Sequence, residues 1–213
     1  MSRFCVFVLG AAVVAAIATP AWAQGRGRGG LRQGNVAPIQ LLKLDEVQAD
    51  LKLTDDQKKN VAAEQETFMK SRREIFGAAD KDSGERGPKM KELNDTTSKA
   101  LASVLDEGQQ KRLKEIVLQV NGAAELDNEE LAAELKITPE QNKQLAEIRK
   151  ANAKARRDAL KVLADGGAGN RNEIIAKLQV EGDAKLLAVL TDEQRSQFEA
   201  KQGKKLELKL FGA

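Results

Sequence analysis

A pattern of five residues occurs four times in the chain, at residues 53–57, 105–109, 137–141 and 190–194. Each copy has Leu or Ile, then Thr or Asp, and a Gln three positions further on. This is the spacing of a capping box, in which the Thr or Asp side chain accepts from the backbone N–H of the Gln, and the Gln side chain binds the backbone of the cap. The repeated motif therefore predicts four helix starts. Its cap and glutamine pairs are Thr54 and Gln57, Asp106 and Gln109, Thr138 and Gln141, and Thr191 and Gln194.

The three copies in which Thr is the cap depart from ordinary helix starts in one respect. The fourth helical residue after the cap is polar, namely Lys58, Asn142 or Arg195. The aliphatic residue before the cap therefore has no hydrophobic staple partner in its own helix, and we expect it to pack against another helix. The motif is then a hinge point between a short helix and a long one, and a framework element without chemistry of its own.

The chain repeats itself over most of its length. Residues 51–54 match residues 135–138 at an offset of 84, and the matches continue at an offset of 85 after a glycine-rich stretch in each half. A one-residue insertion in a loop accounts for the change of offset. The pattern predicts an internal duplication of an all-α unit of about 80 residues. Two copies are too few for a solenoid.

Helical periodicity fills the first predicted unit. A short helix carries the apolar residues of 39–51, and a long helix runs from Thr54 to Phe76. A glycine-rich break follows at residues 77–88, and two more helices begin at Pro88 and Asp106.

The second predicted unit repeats this plan. Its short helix covers residues 126–135, with Asp127 or Asn128 as the cap, and its break lies at residues 165–170. The last helix is expected to end near residue 206. Residues 206–211 alternate between apolar and polar, so we expect this tail to fray or to pair as a short strand.

Residues 1–23 have the pattern of a secretory signal peptide. Arg3 precedes an apolar run, and Ala21-Trp22-Ala23 has the small-x-small form of a cleavage site. The apolar run is too short to span a membrane. We expect an exported protein, periplasmic or extracellular, that begins near Gln24. The predicted segments are a signal peptide (1–23), an arm (24–37) and two helical units (38–122 and 123–213).

The rest of the chain excludes several classes of chemistry. The only Cys and the only Trp lie within residues 1–23, and the sequence has no His or Tyr. Disulfides, structural zinc sites and a Cys or Ser nucleophile activated by His are therefore excluded. Carboxylates are numerous at helix starts, where they are expected anyway, and no calcium-loop spacing occurs. We expect no catalytic residues, no cofactor and no metal, and thus a protein that is not an enzyme.

The arm at residues 24–37 is rich in Gly and contains Arg26, Arg28 and Arg32. Because it has little to bury, its composition predicts disorder. One interpretation is a solvated spacer. The other is contact with anionic glycan or lipid, although three charges attract only weakly at physiological salt. No specific nucleic-acid partner is expected.

Two arginine pairs, Arg72-Arg73 and Arg156-Arg157, occupy equivalent positions near the ends of the two long helices. The simpler explanation is that the helix dipole favours basic residues there. The functional one is a paired basic patch, because arginine binds carboxylates and phosphates through two hydrogen bonds. The apolar face of these helices is sparse, so it forms either a plain core or a thin layer with exposed apolar patches that bind partners.

These features together resemble the exported LTxxQ-motif family of Spy/CpxP-like periplasmic proteins. The match rests on Leu53-Thr54-x-x-Gln57 and Leu190-Thr191-x-x-Gln194, with Ile137 in place of Leu in another copy. Family members usually have two motifs, so this chain resembles two units in tandem. The resemblance implies long bent helices in a thin cradle. Our hypothesis is a single-chain pseudo-dimer of residues 39–121 and 126–210, with a homodimer as the alternative.

The resemblance also implies a function, namely ATP-independent binding of unfolded proteins or of an envelope signalling protein. The alternative is a structural or interaction protein of the cell envelope that has no chaperone activity and is tethered by its basic arm. Some related proteins sense metals through His, a role that this His-free chain does not inherit. Composition and position make the candidate client contacts Phe68, Met69, Arg72, Arg73, Phe76, Arg156 and Arg157.

Overall fold

The computed structural model describes residues 36–77, 83–167 and 169–208. Within these ranges the chain is helical and has no strand, so the expected all-α class is confirmed. The predicted signal peptide, residues 24–35 of the arm and residues 209–213 lie outside the described residues. The helices are α1 (Pro38–Leu41), α2 (Asp45–Asp50), α3 (Asp55–Gly77), α4 (Ser83–Val104), α5 (Glu107–Asn121), α6 (Glu129–Glu134), α7 (Pro139–Ala164), α8 (Arg171–Leu187) and α9 (Asp192–Ala200), with a 3-10 helix (Gly122–Asp127) between α5 and α6.

The order and spacing of the elements recur along the chain. The starts of α2 and α3 recur at an offset of 84 as the starts of α6 and α7. The start of α5 recurs at an offset of 85 as the start of α9, and α1 is related to the 3-10 helix by an offset of 84. We call residues 36–121 the first half and residues 122–208 the second half. In each half the two long helices pack against each other, α3 against α4 and α7 against α8.

Two clusters of buried apolar side chains form the core. The first is built from α1 to α5 and includes Val61, Phe68 and Ile116. The second includes Leu145, Leu187 and Phe198. Neither cluster is confined to one half: Leu118 of α5 belongs to the second, and Leu206 and Leu208, after α9, pack against the first. The two halves therefore interlock through α5 and the C-terminal segment.

The helix α4 begins earlier than the sequence predicts. It starts at Ser83 and contains Pro88, which the sequence analysis placed at its beginning. Pro88 is the sixth residue of α4, past the first four positions, and because it has no backbone N–H it removes one hydrogen bond from the helix. Glu85 and Lys89 form an ion pair at 2.7 Å across one turn, and Arg86 lies over the ring of Phe76.

The predicted short helices also differ in the structure. Residues 39–51 form two helices, α1 and α2, because the side chain of Gln48 donates to the carbonyl of Leu42 (2.7 Å) and closes the turn between them. In the second half a 3-10 helix precedes α6. Asn128, one of the two predicted caps, is the cap of α6 and accepts from the N–H groups of Glu130 (2.9 Å) and Leu131 (3.2 Å).

Two predictions at the ends of the helical region are wrong. Val36 and Ala37, assigned by composition to the disordered arm, are buried. Asn121 holds this segment, since its Oδ1 accepts from Val36 N–H (2.9 Å) and its Nδ2 donates to Val36 O (3.1 Å). At the other end, α9 stops at Ala200, and residues 201–208 form no strand. The backbone of this segment binds the side chain of Gln119 instead of a strand: Gln119 donates to Lys204 O (2.8 Å) and accepts from Leu206 N–H (2.9 Å).

Candidate functional site

All four copies of the repeated motif form capping boxes. Thr54 N–H donates to Gln57 Oε1 (3.0 Å), and Gln57 N–H donates to Thr54 Oγ1 (3.2 Å). The boxes at Thr138 and Thr191 have the same two distances. At Asp106 the carboxylate accepts from Gln109 N–H at 2.8 Å. Each motif thus satisfies two N–H groups that a helix start would otherwise leave unpaired.

The glutamines of the motifs also bind one another in pairs, which the sequence analysis did not predict. Gln57 Nε2 donates to Gln109 Oε1 (2.7 Å), and Gln109 Nε2 donates to Gln57 Oε1 (3.1 Å). Gln141 and Gln194 form the same reciprocal pair with the same distances. The start of the first long helix in each half is thereby joined to the start of the last helix of that half.

Each paired glutamine also binds the segment that leads into its partner motif. Gln57 donates to Val104 O (3.0 Å), and Gln109 donates to Leu51 O (3.1 Å). In the second half, Gln141 donates to Val189 O and Gln194 donates to Leu135 O. Every side-chain amide therefore uses both N–H groups and accepts twice at its oxygen, which is its full hydrogen-bonding capacity. The recurrence of Gln at one position in all four copies was the signal that could have revealed this pairing.

The aliphatic residues that precede the caps pack as expected. Leu53 belongs to the first cluster, and Leu190 belongs to the second. Leu105 is also buried, whereas Ile137 is half-buried against the second cluster. The motif therefore fixes the helix start on one side by hydrogen bonds and on the other side by apolar packing.

A left-handed residue precedes two of the motifs. Lys52 has φ of 52° and Lys136 has φ of 53°, values that residues other than glycine rarely adopt. At the first site Lys52 N–H donates to Ala49 O, and Leu53 N–H donates to Gln48 O. These two bonds form a Schellman motif, which ends the short helix and turns the chain into the repeated motif.

The candidate client contacts of the first half divide into exposed and buried residues. Phe68 is 2% exposed within the first cluster, so its assignment as a contact residue is wrong. Met69 is half-buried against the same cluster. Phe76 is 51% exposed, and Arg73 is exposed. The periodicity of α3 alone does not separate these residues, because the first cluster that buries Phe68 is built from helices distant in sequence.

The exposed ring of Phe76 lies beside two guanidinium groups. Arg72 is 5.8 Å from the ring centroid, and Arg86 of α4 is 5.9 Å from it. Both are within the range of a cation–π interaction. Arg72 was predicted from its pairing with Arg73, whereas no sequence pattern indicates Arg86, which lies beyond the glycine-rich break. The three side chains form an apolar surface with positive charge beside it, called the Phe76 patch below.

In the second half, Arg156 and Arg157 are exposed and line an open groove between α7 and α8. Leu160 stands at the position that corresponds to Phe76 at the offset of 84. The two arginine pairs therefore have different surroundings, an exposed aromatic ring in the first half and a groove in the second.

Two partly buried charged groups support this framework. Arg112 of α5 binds Asp50 of α2 at 2.6 Å and Glu115 at 2.8 Å, and its hydrogen bond to Asp50 is the main reason that its pKa is raised. Burial raises the pKa of Glu125 above its ordinary value, although a hydrogen bond from Asn121 (2.6 Å) opposes the rise. Glu125 stands where the first half has the buried Leu41, at the offset of 84.

Among the described residues, no group of Cys, Asp and Glu is arranged to hold a metal ion, and no helix is long and apolar enough to cross a membrane. No family model, curated protein or solved structure matches the chain. The resemblance to the LTxxQ-motif family therefore rests on features of the sequence and stays a prediction.

Proposed function

We propose that the chain is an exported helical binding protein that holds unfolded or aggregation-prone protein segments without ATP. The observation that carries this proposal is the Phe76 patch, a half-exposed aromatic ring with two guanidinium groups at its side. An apolar surface with adjacent positive charge offers contacts both to apolar residues and to carboxylates of a non-native chain. Arg73, which follows Arg72 in α3, is exposed and adds a further positive charge.

A light-scattering assay with an aggregating client protein tests this function. We expect the wild-type chain to suppress aggregation near equimolar ratio and the Phe76→Ser variant to suppress it less. The matched control is Val180→Ser, which removes another exposed apolar side chain, 40% exposed, away from this patch. If the wild-type chain does not suppress aggregation at equimolar ratio, the chaperone proposal is wrong.

We also propose that the protein acts as a single-chain pseudo-dimer. The recurrence of helix starts at offsets of 84 and 85, and a reciprocal glutamine pair in each half, support an origin by duplication. A solution mass near that of one chain is expected. A stable homodimer in which halves of two chains exchange places would contradict the proposal.

Export to the periplasm or the cell exterior is the third part of the proposal. It is supported by the charged, apolar and small-residue segments of residues 1–23. Cell fractionation and N-terminal sequencing of the native protein test it. The expected result is recovery outside the cytoplasm with Gln24 as the first residue.

A further inference from the structure

An open groove of about 470 Å³ lies between α7 and α8. Its apolar lining comes from both helices and includes Leu160, Ile175 and Leu178. Its polar lining includes Asn152 and the carboxyl group of Asp183, which is 4% exposed and accepts from Gln179 Nε2 at 2.8 Å. The lining thus combines aliphatic side chains with an equal share of polar and charged ones. Concave sites where apolar side chains meet a few oriented polar groups are typical of small-ligand sites.

Small residues in the second half create this groove. At offsets of 84 and 85, Asn152 stands where the first half has Phe68, and Gly182 stands where it has Thr97. Phe68 of α3 and Thr97 of α4 are both buried. A Cβ atom on Gly182 would lie 2.7 Å from Asn152 Nδ2, so a larger residue there would displace the asparagine side chain. Two further wall positions are also smaller, with Ala153 for Met69 and Leu160 for Phe76.

Arg149 supplies an unsatisfied donor in the lining of the groove. Its Nη1 binds Asp127 Oδ1 at 3.0 Å. Its Nη2 is buried and has no hydrogen-bond partner in the described part of the chain. Leaving a buried donor of a charged group unpaired is unfavourable. Because Nη2 is closed to solvent, a ligand oxygen would reach it only after the guanidinium group turns toward the groove.

The formal charges of the lining favour an anionic ligand. Arg149, Arg156 and Arg157 contribute three positive charges, whereas Asp127 and Asp183 contribute two negative ones. Arginine is also the side chain best suited to bind a carboxylate through two hydrogen bonds.

We propose that this groove binds one apolar residue that carries a free carboxylate, with its side chain on the aliphatic lining and its carboxylate on Arg149 and the neighbouring arginines. Two sources have this chemistry, a single acylated amino acid and the C-terminus of a polypeptide. The site is separate from the Phe76 patch and does not depend on chaperone activity.

Titrations of the full chain, followed by NMR chemical shifts, test the ligand class. The probes are N-acetyl-leucine, its amide N-acetyl-leucinamide, and a pentapeptide that ends in leucine with a free carboxylate. The amide is expected to bind at least about tenfold more weakly, because it cannot form hydrogen bonds between charged groups. Binding of N-acetyl-leucine indicates a small-molecule site, whereas binding of the pentapeptide alone indicates a site for chain ends. Equal binding of acid and amide, or no saturable binding of either carboxylate at about 10 mM, would overturn the proposal.

Two variants that copy residues of the first half test the position of the site. Arg149→Gln introduces the glutamine that the first half has at the equivalent position, Gln65. It is expected to weaken carboxylate binding about tenfold. Its control, Lys150→Gln, removes the same charge from an exposed position outside the groove and should leave binding unchanged. The double variant Asn152→Phe and Gly182→Thr should abolish binding by filling the groove. Circular dichroism verifies folding, and wild-type binding by a folded Arg149→Gln or groove-filled variant would refute the assignment.

Discussion

The strongest energetic prediction concerns the reciprocal glutamine pair of the second half. Gln194 is 9% exposed, and its amide joins the start of α9 to the start of α7. Replacement of Gln194 by Ala removes the pair with Gln141 and leaves Leu135 O without its donor. With about 1 kcal/mol for each lost hydrogen bond and about 1–3 kcal/mol for a buried group left unpaired, we expect a loss of about 2–4 kcal/mol.

A double-mutant cycle isolates the contribution of the pair itself. Gln141→Ala, Gln194→Ala and the double variant are compared by urea unfolding monitored by circular dichroism. The two mutual hydrogen bonds of 2.7 and 3.1 Å predict a coupling energy of about 1–2 kcal/mol. Gln144→Ala, an exposed position of α7 outside the motif, is the control and should change stability by less than about 0.5 kcal/mol.

The result that would refute this reasoning is additivity. If the two single substitutions add to within about 0.3 kcal/mol, the glutamines act as independent helix caps and the pair contributes nothing. A second check is Gln194→Glu, which places a carboxylate beside the oxygen of Gln141 and the carbonyl of Leu135. Because only the protonated form of that glutamate can donate, its stability should rise as the pH falls, which the Ala variant should not show.

Three further predictions follow from single positions. Lys52→Gly and Lys136→Gly should each raise the free energy of unfolding by about 0.5–1 kcal/mol, because glycine adopts φ near 52° without strain. Urea titrations measure this, and equal or lower stability of the variants would contradict the prediction. Burial raises the pKa of Glu125, so its contribution to stability falls as the pH rises above 4.5. Glu125→Gln should be more stable than wild type at pH 7 and should flatten that decline. An unchanged pH profile of stability would contradict the raised pKa. Asn121→Ala should cost about 2–3 kcal/mol in thermal or urea unfolding, since it leaves the buried N–H and carbonyl of Val36 unpaired, and a loss below about 0.5 kcal/mol would show that water replaces it.

The sequence predicts those features of the fold that depend on short spacings. The capping boxes and the helix starts at 55, 107, 139 and 192 follow from residues three positions apart, and they are as expected. Phe68 is buried within a cluster from several helices, and Val36 is held by Asn121, so both positions depend on residues distant along the chain and local periodicity could not predict them. Arg86 was missed for the same reason, because its relation to Phe76 arises only from the packing of α3 on α4.

The repeated motif and the side chains between the long helices have separate structural roles. The glutamine pairs bind backbone carbonyls and the starts of the helices, so they hold α3 to α5 and α7 to α9 without using the side chains between the long helices. Those side chains are then free to change while the framework is kept. In the first half the equivalent residues Phe68 and Thr97 are buried, whereas in the second half Asn152 and Gly182 line a groove. The motif is therefore where the two halves are alike, and differences in function are to be sought between the long helices.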